Sequence, residues 1–168
     1  PAFADAAPSV PAILIKGAPF EGPIVYTGPL DELFLSRFGR LPYRSLDFVY
    51  ETHDVEHVLP CGTVNFTVTE DYTRITEFKY LTGQVSDKTT IMKEYSHSYD
   101  DPKTQTPYYA IINDDNDALY ARYRRLTDAL PNFHPLGRLA EYRYFNMDKV
   151  VADALAASEK ILTETADA

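Results

Sequence analysis

In 168 residues the sequence carries one cysteine, Cys61, and two methionines, Met92 and Met147. A lone cysteine excludes an internal disulfide and fits a reducing compartment, so a cytoplasmic setting is expected. Positive charge is scarce too: 16 Lys and Arg stand against 25 Asp and Glu, a formal net charge of −9. That balance excludes sequence-independent nucleic-acid binding, which needs a surplus of Lys and Arg facing the phosphates. It leaves room for a local basic pocket, because net charge speaks to solubility and steering. No apolar run approaches the ~20 residues of a membrane span. The short A-I-L-I at 12–15 has neither the length nor the basic start of a signal peptide. Neither nucleic acid nor a membrane is therefore expected as a partner. The chain opens P-A-F-A-D-A-A-P-S-V-P-A, without Met, and this reads as linker. A piece of a longer protein is the preferred reading over a processed form.

What is present is enough chain for one domain with a good core. Hydrophobic residues at 45% and charged residues at 24% are ordinary for a globular protein. Residues 1–23 are rich in Pro, Ala and Gly without a sustained period and read as irregular, with a short strand at 12–16. Ile24 to Thr27 is an apolar run closed by Gly28-Pro29, as in a buried strand ending in a turn. Leu30, Leu33, Phe34 and Phe38 then recur at helical spacing, and Gly39 stops that helix. The middle reads as strands at 43–50, 63–69, 73–81, 89–95 and 108–112, rich in Val, Thr, Tyr and Phe. Their short separations favour antiparallel pairing. Asp114 or Asp115 can cap a helix carrying Leu119, Tyr120, Tyr123, Leu126 and Leu130, which Pro131 ends. Asn146 can cap a final helix that buries Met147, Val150, Val151, Ala154, Leu155 and Ile161. The order predicts an α+β fold: a mostly antiparallel sheet with C-terminal helices.

Metal chemistry is not expected. His53 and His57 are four apart in H-D-V-E-H, but the order is not H-E-x-x-H and a predicted strand adjoins them. Solvated loop histidines explain them. Cys61 lacks any marked partner histidine and reads as a small buried side chain. The arginines and tyrosines are more informative. In G-R-L-A-E-Y-R-Y-F-N-M-D, residues 137–148, Arg138, Tyr142, Arg143, Tyr144 and Phe145 crowd the entry to the last helix. Arg74 opens one strand in D-Y-T-R and Tyr109 opens another in P-Y-Y. A guanidinium is a planar fork suited to phosphate oxygens. A helix N-terminus adds backbone N–H groups and partial positive charge. Together these residue types describe a pocket for a diphosphate. Tyrosines packed on a sheet with scattered ion pairs would look the same from residue chemistry alone.

Several segments together resemble the carboxyl-terminal part of the UDP-galactopyranose mutases. They are V-Y-T-G-P-L-D-E-L-F at 25–34, F-G-R-L-P-Y-R-S-L-D-F at 38–48, V-N-F-T at 64–67 and Y-T-R-I-T-E-F-K at 72–79. T-T-I-M-K-E-Y at 89–95, P-Y-Y at 107–109, N-D-D-N-D-A-L-Y at 113–120 and the 137–148 stretch complete the set. They follow in family order from about residue 24 to 157.

The resemblance implies a flavoprotein isomerase interconverting UDP-galactopyranose and UDP-galactofuranose for cell-wall polysaccharide. Its catalyst would be reduced FAD, whose nitrogen attacks the anomeric carbon, forms a flavin–galactose adduct and expels UDP without net redox change. By the same resemblance Arg74 is the catalytic residue that holds the UDP diphosphate, with Tyr109 and Tyr144 as further substrate contacts. Asn65, Arg138, Asn146 and Met147 would be cofactor contacts, and the 137–148 stretch would be the seam where FAD and UDP-galactose meet. The family pattern divides the chain into irregular 1–23, a strand–helix piece of an FAD-binding domain at 24–38, a substrate sheet domain at 41–112, and helices completing the FAD-binding domain at 113–168.

Departures are visible. Asn146 stands where the family usually has Asp, which keeps a cap and removes a negative charge. H-P-L before Gly137 and L-P-C-G-T around Cys61 also differ from the family, and no G-x-G-x-x-G follows a strand. The chain alone is therefore expected neither to hold FAD nor to turn over, and its uncovered apolar surface is expected to drive self-association. A stand-alone, non-catalytic nucleotide-sugar binding module is the alternative.

Overall fold

A computed structural model describes residues 13–166. In chain order the elements are β1 (Leu14–Ile15), β2 (Ala18–Pro19), β3 (Ile24–Tyr26), α1 (Leu30–Leu33), β4 (Tyr43–His53), β5 (Thr63–Asn65) and β6 (Arg74–Glu77). There follow α2 (Phe78–Thr82), β7 (Thr89–Ser98), β8 (Tyr109–Ala110), α3 (Asp114–Asp128), β9 (Phe133–Pro135) and α4 (Met147–Ala166). The fold class is α+β, as predicted. The chain divides into two compact units: Tyr43–Tyr108 forms one, and the residues before and after it form the other.

The unit of residues 43–108 is built on antiparallel strands in the order β5, β6, β7, β4. Its long ladder pairs Arg44 with Ser98 through His53 with Thr89. Tyr43, Ser45, Ile75, Ile91 and Tyr99 are buried in it, and the Tyr43 and Tyr99 rings meet edge to face. Glu77, at 0% exposure, is the polar centre. Its carboxylate accepts from Leu59 N (2.7 Å), Val58 N (3.2 Å), Thr89 Oγ1 (2.7 Å) and His57 Nδ1 (3.2 Å), which ties the 54–62 loop to the sheet. Lys79, also buried, donates its Nζ to the carbonyls of Glu56 (2.8 Å) and Ser86 (2.5 Å).

The other unit holds a parallel pair, β3 with β9, in the register Ile24–Phe133, Val25–His134, Tyr26–Pro135. Leu30, Leu41, Tyr123, Phe133, Ala140 and Tyr142 are its buried apolar residues. Tyr123 is a hub: its hydroxyl accepts from Phe38 N (2.9 Å) and donates to Gly39 O (2.6 Å), holding the turn after α1. Leu35 and Ser36 in that turn have positive φ, 52° and 51°.

Several sequence expectations need correction. The strand predicted at 12–16 is Leu14–Ile15; Ala12 lies outside the described residues. The strand predicted at 63–69 ends at Asn65. The 73–81 strand ends at Glu77 and becomes α2, closed by Gly83 in the left-handed region at φ 69°. Burying the Lys79 ammonium against two carbonyls overrides the alternation there. β4 and β7 run further than predicted, and β8 is shorter. The cap of α3 is Asn113, whose side chain accepts from Asn116 N at 2.9 Å, rather than Asp114 or Asp115. The three acidic residues of its first turn instead sit favourably at the positive end of the helix dipole. Leu130 lies beyond that helix. Cys61 is exposed. In α4 the side expected to be buried is only partly so: Met147 is 81%, Val151 59% and Leu155 63% exposed, while Val150, Ala154 and Ile161 are half-buried.

Candidate functional site

In the sheet unit the cross-strand register assembles a row. Asn65 stands opposite Arg74, Arg74 opposite Glu94, and Glu94 opposite Phe48. Directly opposed residues share a face of the sheet, so four strands present this row together. Arg74 Nε donates to Asn65 Oδ1 at 2.9 Å, and its Nη1 lies 3.7 Å from Glu94 Oε1. The guanidinium is thus held on two sides while 40% of the side chain stays exposed. Asn65 keeps its Nδ2 hydrogens without a partner among the described residues. Beside it, a depression of about 510 Å³ is lined by Phe66, Thr67, Glu70 and Tyr72 among others.

In the other unit Arg138 sits against two aromatic rings, 5.3 Å from the Tyr109 centroid and 5.2 Å from that of Tyr144. Those rings are 5.3 Å apart. Its Nε donates to Phe145 O at 2.6 Å. The terminal nitrogens have no hydrogen bond or ion pair among the described residues. Asn146 and Met147 follow directly at the exposed start of α4, where Val150 N donates to Asn146 O at 3.2 Å. Neighbouring Arg143 is by contrast 3.7 Å from Asp117. An aromatic-stacked guanidinium without a carboxylate, close in sequence to a helix start, is a donor set suited to an anion.

The predicted site residues therefore form two groups, one per unit: Asn65 with Arg74, and Tyr109, Arg138 and Tyr144 with Asn146 and Met147 next in the chain. Glu94 was missed. It lies in the T-T-I-M-K-E-Y segment, where strand alternation alone makes it a polar residue on one face. Only the register brings it to Arg74. His53 and His57 go to different carboxylates, Glu51 and Glu77. Among the described residues no cluster of three or more His, Cys, Asp or Glu could hold a metal ion. No helix among them is long and apolar enough to cross a membrane.

Compared with known families, residues 9–144 match the model of the UDP-galactopyranose mutases. The chain belongs to that family. It is 39% identical over 154 residues to UDP-galactopyranose mutase of Mycoplasma pneumoniae, an alignment covering 89% of this chain and 39% of that protein. It is 36% identical over 147 residues to the Mycoplasma genitalium enzyme of the same name, covering 85% and 36%. With dTDP-fucopyranose mutase of Escherichia coli it shares 31% over 141 residues, covering 82% and 37%. The chain thus spans about two fifths of the length of the curated mutases it matches.

Proposed function

We propose that this chain supplies diphosphate-binding residues of a flavin-dependent mutase acting on UDP-galactopyranose and UDP-galactofuranose. The observation that carries the reading is Arg74, half exposed and fixed by Asn65 and Glu94, in a member of the mutase family. The names UDP-galactopyranose and dTDP-fucopyranose differ in base and sugar but have the diphosphate in common. An exposed, pre-oriented guanidinium is suited to that common part. Arg74 would neutralise the charge that grows on UDP as it leaves the anomeric carbon. Removing one such donor typically lowers a rate roughly 100- to 1,000-fold. Asn65 and Glu94 hold its guanidinium in place, so little reorganisation accompanies the step. Tyr109 and Tyr144 are the further substrate contacts of this reading.

FAD is the cofactor this reading requires, and the residues fit it. Arg138, whose terminal nitrogens have no hydrogen bond among the described residues, and the start of α4 at Asn146 and Met147 would hold its diphosphate chain. When bound and reduced, the flavin supplies the nucleophile for exchange at the anomeric carbon. Activity would belong to an assembly that includes more than these residues. The parallel pair supports this, since parallel strands are almost always covered on both faces within larger sheets. Ile24 and Tyr26 hydrogen-bond towards β9, so Val25 turns its N–H and C=O to the opposite edge. The outer edge of β9 offers no free donor at these positions: Phe133 N donates to Leu130 O, and Pro135 has no N–H. We read this unit as part of an FAD-binding domain and residues 43–108 as a substrate-binding sheet.

Calorimetric titration with UDP tests the substrate assignment. Arg74→Ala is expected to weaken UDP binding roughly 10- to 100-fold, the size of one lost charged hydrogen-bonding group. Unchanged affinity would overturn it. UDP-galactose binding without conversion, even with reduced FAD added, is expected of the chain by itself. A flavin band that stayed with the chain through gel filtration would refute the need for further residues.

A further inference from the structure

Tyr142 has a backbone conformation that a residue with a bulky side chain rarely adopts, φ 50°, and is at 0% exposure. A left-handed, non-glycine residue persists only where its surroundings over-determine it, and such residues gather at functional sites. Here the restraints are explicit. The hydroxyl lies 2.7 Å from Pro42 O and 2.9 Å from Ile111 O. The ring stacks on Tyr120, 5.6 Å between centroids and 19° between planes. Tyr120 in turn donates to Ala140 O at 3.1 Å. Burial raises the Tyr142 phenol to about 12, so it stays an O–H donor at any working pH.

The left-handed turn at Tyr142 closes residues 137–143 on themselves. Arg143 N donates to Arg138 O (3.1 Å), Glu141 N to Gly137 O (3.0 Å), and Gly137 N to Glu141 Oε2 (2.9 Å). The chain leaves this loop so that Tyr144 lies beside the Arg138 it has just passed, and Phe145 O takes the Arg138 Nε–H. The second aromatic neighbour, Tyr109, comes from a separate stretch, and that stretch is where the Tyr142 hydroxyl lands, at Ile111 two residues on. One side chain thus fastens both segments that surround Arg138.

We propose that Tyr142 is the positioning residue of the Arg138 anion site, its buried hydroxyl joining the Tyr109 segment to the Arg138–Tyr144 loop. The inference rests on the anion-binding reading of Arg138 given above, and its test separates the two. Tyr142→Phe keeps the ring. It also leaves each carbonyl a second donor, Ile111 N to Pro42 O and Asn116 Nδ2 to Ile111 O. The 168-residue chain would be titrated with inorganic pyrophosphate while the Arg Nε–H and Tyr ring NMR signals are followed. In Tyr142→Phe the Arg138 Nε–H is expected to lose its exchange protection and ring-current shift. Pyrophosphate affinity at Arg138 should fall about 5- to 20-fold, with the Arg74 Nε–H response unchanged. Tyr120→Phe, which removes a neighbouring half-buried phenol, should leave the Arg138 signal in place. An Arg138 signal and affinity in Tyr142→Phe equal to those of the parent chain would overturn the proposal, even if Tm fell. If the parent chain shows no Arg138 response to pyrophosphate, the anion reading fails and the Nε–H signal alone decides the positioning role. Native-state hydrogen exchange of the unaltered chain gives a second measurement. The Arg138 Nε–H, Arg143 N–H and Ile111 N–H should open as one unit, and independent opening counts against the role.

Discussion

Each unit buries a carboxylate, and the two are treated in opposite ways. Glu77, in the sheet unit, receives donors on both oxygens. Burial alone would push its carboxyl up, but the N–H groups of Leu59 and Val58 and the Thr89 hydroxyl outweigh that and hold it below the ordinary value. Asp31, in the other unit, accepts from Leu41 N through Oδ2 at 3.0 Å, while its buried Oδ1 has no hydrogen-bond partner among the described residues. Burial dominates there and raises its carboxyl. The apolar surface does not follow this contrast. The sheet unit exposes Phe48, Tyr50 and Leu81, and the other leaves Val25 and the Met147–Val151–Leu155 stripe of α4 open. A region can be matched in its own polar groups and still leave apolar side chains uncovered.

The sharpest way to break this contrast is Glu77→Ala. It strands the Val58 and Leu59 N–H groups and the Thr89 hydroxyl, and should destabilise residues 43–108 by about 3–5 kcal/mol. Denaturant unfolding followed residue by residue by NMR should show that unit melting early, while Tyr123 and Tyr142 signals persist. Simultaneous loss everywhere would mean that the units do not unfold separately. A smaller effect is expected from pH. The folded Glu77 value lies below its unfolded one, so its stabilisation is complete above the ordinary 4.5 and is lost as pH falls through the lowered value. The folded Asp31 value lies above its ordinary 3.8, so its penalty is present above that raised value and is relieved as pH falls through it. On acidification the two carboxylates should therefore push their units in opposite directions, by hydrogen exchange between neutral pH and about 3. Glu77→Gln should flatten the first trend and Asp31→Asn the second; parallel trends would contradict the assignment. Smallest of all, Leu155→Glu should change the Tm of the chain by the equivalent of no more than about 0.5 kcal/mol, as for a surface substitution. A larger loss, or a drop in mass by light scattering, would show that the α4 stripe is covered in solution.

Much of this was legible in the sequence. The apolar run Ile24–Thr27 closed by Gly-Pro, the alternation at Val64, and the helical spacing of Leu119, Tyr120 and Tyr123 each led to the observed element type. The misreadings come from side-chain partners, near and far, that the apolar pattern does not show. Lys79 bends the chain into α2 by reaching Glu56 and Ser86. Asn113 wins the cap because its side chain reaches Asn116 N while the aspartates lie inside the first turn. β9 follows Pro131 closely and ends on Pro135, so punctuation outweighs the apolar signal there. For the site, Arg74, Arg138, Tyr109 and Tyr144 were visible by residue type and motif. Glu94 required the register, and the strain at Tyr142 has no sequence signature, because nothing in Glu-Tyr-Arg marks a left-handed residue.

Pro135 carries one more consequence. A parallel pair with two open edges could recruit strands on either side without limit, the route to fibres. On the outer side of β9 Pro135 offers no N–H, so a strand is recruited more readily at the Val25 edge. Two copies that met through their Val25 edges would pair those edges with each other, a self-complementary contact that closes on itself. An imino acid and one local hydrogen bond thus bias which side of the pair a further strand can join.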